Sequence, residues 1–308
     1  MIFAAVEFME AKRRTSASFR SLTFPLSEPE FTRISDGRYT VRLARDRREV
    51  ESALRLRHDV FNVELGKREI LPGAPQIELD SYDLKCRHLI VVSQRTGETI
   101  GTYRLNSIET AHSIHGFYSA NEFTIEDLPR DVLHNGIEIG RACIARKHRN
   151  TKVLFLLWKA LLAYLEQSGK RYYFGCCSIF TRDESVGCQI FKQLVGDGFM
   201  HEDLNVQPFR NAVSMIGECD VSNKIALPAL FNMYLRIGAR VCGPPMIDQE
   251  FGTIDFFVVF DVERLSSKYR KLFSLEKIGV SMAHKKTRSS KLHFALRPNR
   301  STVEQRVP

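Results

Sequence analysis

Between Val153 and Leu165 the chain carries a run that is apolar on every side of a helix, broken only by Lys159. A helix over about 152–167 with such a run has no polar face to turn to water, so it must be buried. It is too short to cross a bilayer, which takes about 20 residues, and no other stretch comes closer. The chain must therefore wrap other layers around this helix. At 308 residues and 44% hydrophobic it has the material to do so without disulfide or metal staples.

The surrounding pattern mixes strands and helices. Tyr39–Leu43 alternates as a strand. Asp46 and Glu49 are spaced as a capping box, before apolar residues at helical spacing that carry a helix to about Leu65, with Gly66 as its stop. His88–Ser93 and Thr99–Leu105 read as a hairpin closed by Arg95-Thr96-Gly97-Glu98. Further strands are expected at Ile137–Ala145, Tyr172–Ser178, Ala212–Cys219 and Gly252–Asp261, with helices at Glu184–Val195 and Lys224–Ile237. Hairpins beside crossovers predict an α/β (α+β) fold, a mixed sheet flanked by helices. Residues 1–37 read as an extension, 38–263 as the folded domain and 264–308 as a basic C-terminal extension.

The net charge of +9 is unevenly placed. Between Arg264 and Arg300 eleven Lys and Arg residues stand against one acid, Glu276, and the rest of the chain is close to neutral. Such a tail suits an anionic membrane surface or an acidic protein. Nucleic acid ranks last, because aromatic residues are sparse there. The basic residues near the N-terminus follow the apolar stretch Met1–Met9 instead of preceding it, the wrong order for a secretory signal. Seven cysteines show no metal-site spacing, so no metal is expected, and they read as reduced cytoplasmic thiols.

Four polar segments interrupt otherwise apolar elements: Leu56-Arg57 with Val60-Phe61; Glu78-Leu79-Asp80-Ser81-Tyr82-Asp83; Gly101-Thr102-Tyr103-Arg104-Leu105; and Glu138-Ile139-Gly140-Arg141. In this order they resemble the N-acyltransferase branch of the GNAT-like fold, which includes acyl-homoserine lactone synthases and ornithine N-acyltransferases of aminolipid synthesis. Lactone synthases carry a Trp six residues after the Phe that Phe61 matches, where this chain has Lys67. The second half resembles the ornithine enzymes, at Tyr173-Phe174-Gly175-Cys176-Cys177-Ser178 and at Gly238-Ala239-Arg240-Val241, Asp248, Phe251-Gly252 and Asp255-Phe256. The resemblance covers about 39–270. It implies a GNAT-like fold and transfer of a 3-hydroxy fatty acyl group from acyl carrier protein to an amino acid's α-amine, giving a lyso-aminolipid. The carrier's thioester would be a co-substrate, with no bound cofactor.

That chemistry gives the polar residues roles. An amine must shed a proton to attack a thioester, and Glu138, in an apolar strand, is the candidate base, directly or through a water. Strict alternation would put Glu138 and Arg141 on opposite faces, so a bulge at Gly140 is expected to bring them together and to offer an N–H near Cys143 to the oxyanion. Arg57 and Arg104 are candidates for the acceptor's carboxylate, with Asp80, Asp83 and Phe61 completing its site, although the charged four could equally form a salt-bridge network. Arg146, Lys147, Arg149 and Lys152 lie where acetyl-CoA enzymes of this fold have a glycine-rich loop. Without glycine, this basic run suits an acidic carrier protein and its pantetheine arm. Cys143, Cys176 and Cys177 sit in buried strand, which favours direct transfer over an acyl-cysteine. Two other readings stand beside this one: a lactone synthase-like autoinducer enzyme, and a non-catalytic lipid- or carrier-binding protein. The expected location is the cytoplasm, with the tail able to hold the protein on the inner face of the membrane.

Overall fold

The computed structural model describes residues 31, 33–66, 75–114, 116–213, 223–249 and 251–273. Residues 1–30, Lys67, the strand end expected at 214–219 and the basic stretch beyond Phe273 lie outside them. Strands β1 (Ile34–Ser35), β2 (Tyr39–Leu43), β3 (Arg87–Ser93), β4 (Thr99–Ser107), β5 (Gly136–Ile144), β6 (Tyr172–Ile179), β7 (Arg240–Val241), β8 (Met246–Asp248) and β9 (Thr253–Asp261) make one sheet. Its order is β1-β2-β3-β4-β5-β6-β9-β7, with β8 also on β9. Every pairing is antiparallel except β5 with β6. The sheet is thus mixed, as expected, and begins at Ile34, with Phe31 already in the core.

Helices α2 (Thr151–Gln167), α3 (Glu184–Gly196) and α4 (Ala229–Ile237) cover one face. The all-round apolar helix is α2. Leu157, Leu161 and Leu165 are fully buried, each worth about 2 kcal/mol of transfer from water. Period-2 alternation along β9 sends Phe256, Val258 and Phe260 to this side, and Phe257 and Val259 to the other. There they meet Phe117, Phe123 and Val132. Helix α1 (Arg47–Arg57) also packs on that second face, against β4. The short helix α5 (Ser267–Leu272) leads to Phe273, buried and stacked on Phe155, so the core continues ten residues past the boundary expected at 263.

Several element ends differ from expectation for local reasons. Asp46 caps α1 by accepting from the Glu49 N–H at 2.9 Å, whereas the Glu49 carboxylate turns to Arg42 and Arg45. At His58 the helix widens to a π-helical stretch, His58–Glu64, which Gly66 ends at a φ of 62°. Helix α4 starts at Ala229 instead of Lys224 because Pro228 occupies its N-cap. Cys86, Cys143, Cys176, Cys177 and Cys242 are free thiols.

One feature of the sheet creates space. Strands β5 and β6 pair only from Gly136–Glu138 against Tyr172–Phe174, then part. Gly175 stands at the divergence, where a Cβ would collide with the Ile139 carbonyl oxygen. Glycine is what allows β6 to pass so close before the strands separate.

Candidate active site

A bulge re-aims β5 at the start of the gap. Arg104 on β4 pairs with Gly140 and Thr102 with Cys143, leaving Arg141 and Ala142 opposite the single residue Tyr103. The bulge expected at Gly140 therefore falls one residue later. Gly140 keeps its partner, and Arg141 takes the left-handed conformation, at a φ of 50°. That conformation costs a non-glycine residue about 1 kcal/mol or more, and its side chain is held firmly enough to retain it. The Arg141 guanidinium lies between the rings of Tyr118, at 4.8 Å, and Phe251, at 4.5 Å. Its Nη2 donates to Asp80 Oδ2 at 3.1 Å, and its Nε lies 3.6 Å from Glu78 Oε1.

Arg141 is one corner of a buried lattice of three guanidiniums and three carboxylates. Arg57 donates from Nη1 and Nη2 to the two oxygens of Asp83, at 2.6 and 3.0 Å, and from Nε to Glu78. Arg104 Nη1 donates to both oxygens of Asp80 at 2.6 Å, and to Asp83 Oδ1 at 3.2 Å. Asp80 and Asp83 cap the turn Ser81–Leu84 reciprocally, so the motif fixes its own backbone while presenting acids to the arginines. Burial pushes the Asp80 carboxyl up, but Arg104, Arg141 and Arg57 outweigh it and hold it well below the ordinary range. Glu78 is held down by the same balance.

Glu138 lies beside this lattice with its acceptor positions filled. Its Oε1 accepts from Ser119 N and Ser119 Oγ, both at 2.7 Å. Its Oε2 accepts from Tyr118 N at 2.8 Å and Asn106 Nδ2 at 3.3 Å. These bonds pin the turn Tyr118–Asn121 to β5 and orient the carboxylate. Beyond Ser119, Cys176 Sγ donates to Ser119 Oγ at 3.6 Å and also contacts Glu122.

Glu122, Asp248 and Asp255, all buried, bring a carboxylate oxygen each within 4.8 Å of one another. Two ionised carboxylates at that separation repel by about 3 kcal/mol at an effective dielectric of 20. Burial first, and then the charge of Asp255, push the Glu122 carboxyl up to about 8. Burial also pushes the Cys143 thiol up to about 12, and Cys176 and Cys177 well above the ordinary value, so none of the three is a ready thiolate.

Two cavities meet here. The smaller, about 80 Å³, is walled by Arg104, Asn106, Tyr118, Ser119, Glu122, Glu138, Arg141, Asp248 and Asp255; it has room for about three waters at their liquid volume. The larger, about 670 Å³, runs between the parted strands and helices α2 and α4. Its walls include Trp158, Phe174, Phe231, Phe260 and the hydroxyl-bonded pair Tyr103 and Tyr234, 2.6 Å apart. Ile139, Gly140, Arg141, Cys176, Ser178 and Phe251 line both. A small charged chamber thus shares its wall with a long apolar one, at the bulge.

The residues singled out from the sequence divide among these features. Glu138, Arg141 and Arg104 line the small chamber, whereas Phe61 and Arg149 line the large one. Arg57, Asp80 and Asp83 line neither and belong to the lattice. Arg146, Lys147, Arg149 and Lys152 are exposed on the loop before and at the start of α2, with Arg149 paired to Glu64 at 2.5 Å. Tyr118, Ser119 and Glu122 escaped the sequence reading because they come from an aperiodic loop. Asp255 had a signal, an acid within the apolar run of β9.

Comparison with known proteins adds a consistent picture. A family model described as an acetyltransferase (GNAT) domain matches residues 56–159. The L-ornithine N(alpha)-acyltransferase of Brucella abortus (strain 2308) is 32% identical over 260 residues, 78% of this chain and 90% of that protein. The L-ornithine N(alpha)-acyltransferase of Rhizobium meliloti (strain 1021) is 31% identical over 255 residues, 76% of this chain and 84% of that protein. Among solved structures, the acyl-homoserine lactone synthase LasI aligns over 76% of this chain and 94% of its own, at 13% identity and a TM-score of 0.42.

Proposed function

The chain belongs to the L-ornithine N(alpha)-acyltransferase family, and from that premise we propose that it transfers a 3-hydroxy fatty acyl group from acyl carrier protein to the α-amine of an amino acid such as ornithine, releasing a lyso-aminolipid. The observation that carries this reading is the shared wall of the two cavities. A thioester reaching the bulge from the apolar chamber would meet an amino acid held in the charged one. Binding both reactants at one wall converts a bimolecular encounter into a positioned attack.

Arg104 and Arg141 offer guanidinium donors to the acceptor's carboxylate, and the Arg57, Glu78, Asp80 and Asp83 lattice holds those two in place. The α-ammonium gives up a proton to Glu138 through the Ser119 hydroxyl or a water, since four donors already occupy the carboxylate. The freed amine attacks the thioester carbonyl. A bulge leaves a backbone N–H unpaired, and one at Arg141–Ala142 suits the developing oxyanion. Collapse breaks the carbon–sulfur bond, and the pantetheine thiolate leaves with a proton. High thiol pKa values at Cys143, Cys176 and Cys177 favour this direct route over an acyl-cysteine.

Arg149 lines the apolar chamber, and Arg146, Lys147 and Lys152 are exposed within four residues of it in sequence, a run of positive charge that supports an acidic carrier as donor. Purified protein incubated with 3-hydroxyacyl carrier protein and ornithine tests the reading. It should release free carrier thiol only when the amino acid is present, with an N-acyl product seen by mass. Intact thioester after incubation with folded protein would overturn it.

A further inference from the structure

We propose that Glu122, Asp248 and Asp255 form a pocket for the side-chain ammonium of a diamino acid acceptor, an inference that rests on the acyl-transfer reading above. The three carboxylates come from separate elements, the turn after Asn121, β8 and β9, yet converge within 4.8 Å on the small chamber. Converging acids alone do not make a site. Two further atoms point to a missing donor. Glu122 Oε2 and Asn106 Oδ1 are buried acceptors without a hydrogen-bond partner, and both residues line this chamber. Their residues are only 5% and 2% exposed. Buried acceptors left unpaired are costly, and an ammonium with three N–H donors is what such a chamber lacks.

Charge arrangement within the chamber fits the rest of a diamino acid. The guanidiniums of Arg104 and Arg141 supply the cationic part of its wall, and the acid trio the anionic part. Glu138 is connected to the trio by Ser119 and Cys176. A carboxylate and two ammonium groups can therefore all be matched inside one small space. Burial, and after it the charges of Asp255 and Asp248, raise the Glu122 carboxyl, and a cation seated among the three acids offsets that repulsion. The same contact directs the chemistry, because an ammonium held by carboxylates keeps its proton and is no nucleophile. Only the α-amine is left to react.

The test compares ornithine with norvaline, which has the same carbon chain without the terminal amine. The native enzyme should prefer ornithine in kcat/KM by about 10²-fold or more, mostly through KM. In Glu122→Gln and Asp255→Asn the ornithine-to-norvaline ratio should collapse toward unity. Equal use of both amino acids by the native enzyme would overturn the pocket while leaving the transfer reading intact. Failure to acylate either would instead remove the reading beneath it. Metal is tested by chelation with EDTA. Loss of norvaline and ornithine turnover alike on chelation, restored by a divalent cation, would assign the trio to a metal and overturn the proposal.

Discussion

Replacing Glu122 with Gln should make the protein more stable, and by an amount that depends on pH. In the native state the Glu122 carboxyl is raised from its ordinary 4.5 to about 8 by burial and by Asp255, with Asp248 adding to the effect and Tyr118 and Cys176 bonding to it from the facing elements. Below pH 4.5 both folded and unfolded chains carry the proton, and Glu122 costs nothing. As the pH rises, the unfolded chain ionises first, and stability falls by about 1.4 kcal/mol per pH unit until the folded group also ionises near 8. At pH 7 the deficit is about 3 kcal/mol, and at pH 5 less than about 1 kcal/mol. Glutamine keeps the shape and never ionises, so it removes this deficit. Urea unfolding of both proteins from pH 4.5 to 8, extrapolated to water, reads the difference. The gap should widen with pH and level off near 8. Parallel stability profiles across that range would refute the claim that Glu122 is buried as a neutral acid beside Asp255.

Other expectations concern the surrounding frame. Arg57→Leu leaves Glu78 and Asp83 buried without their main cation and should cost about 3–5 kcal/mol in urea unfolding. Gly175→Ala drives a Cβ into the Ile139 carbonyl and should destabilise by about 1–3 kcal/mol, visible as a lowered Tm, with transfer activity falling as the β5–β6 gap shifts. A chain ending at Phe273 keeps the described core but loses most of the basic tail. It should no longer sediment with anionic vesicles that pull down the full chain, each lost basic contact being worth about 1 kcal/mol.

Much of the frame was legible because its signals are local. The Asp46 cap, the hairpin of β3 and β4 and the all-round apolar α2 each follow from spacing within a dozen residues. The bulge was legible in need but not in place. Separating Glu138 from Arg141 by three positions demands an extra residue, and Gly140 looked the natural one. Rings from Tyr118 and Phe251 together with Asp80 stabilise Arg141 in the strained conformation instead. Those partners are distant in sequence. The division of the arginines was equally hidden, because Arg57 and Arg104 stand in similar motifs yet only Arg104 reaches a cavity wall. Glu122 sits in a loop without periodicity, and its meaning comes from Asp248 and Asp255, more than a hundred residues away. Long-range convergence of this kind has no signature in a single sequence.

The central claim is that Glu138 and its neighbours join an acyl group to an amino acid. Mass spectrometry of lipids from cells expressing this chain, beside cells expressing Glu138→Gln at equal folded levels, tests it most directly. The account predicts a mono-acylated amino acid in the first that is lost or reduced at least about a hundredfold in the second. An undiminished product from Glu138→Gln, or no such lipid from the native chain when 3-hydroxyacyl carrier protein is available, would contradict it.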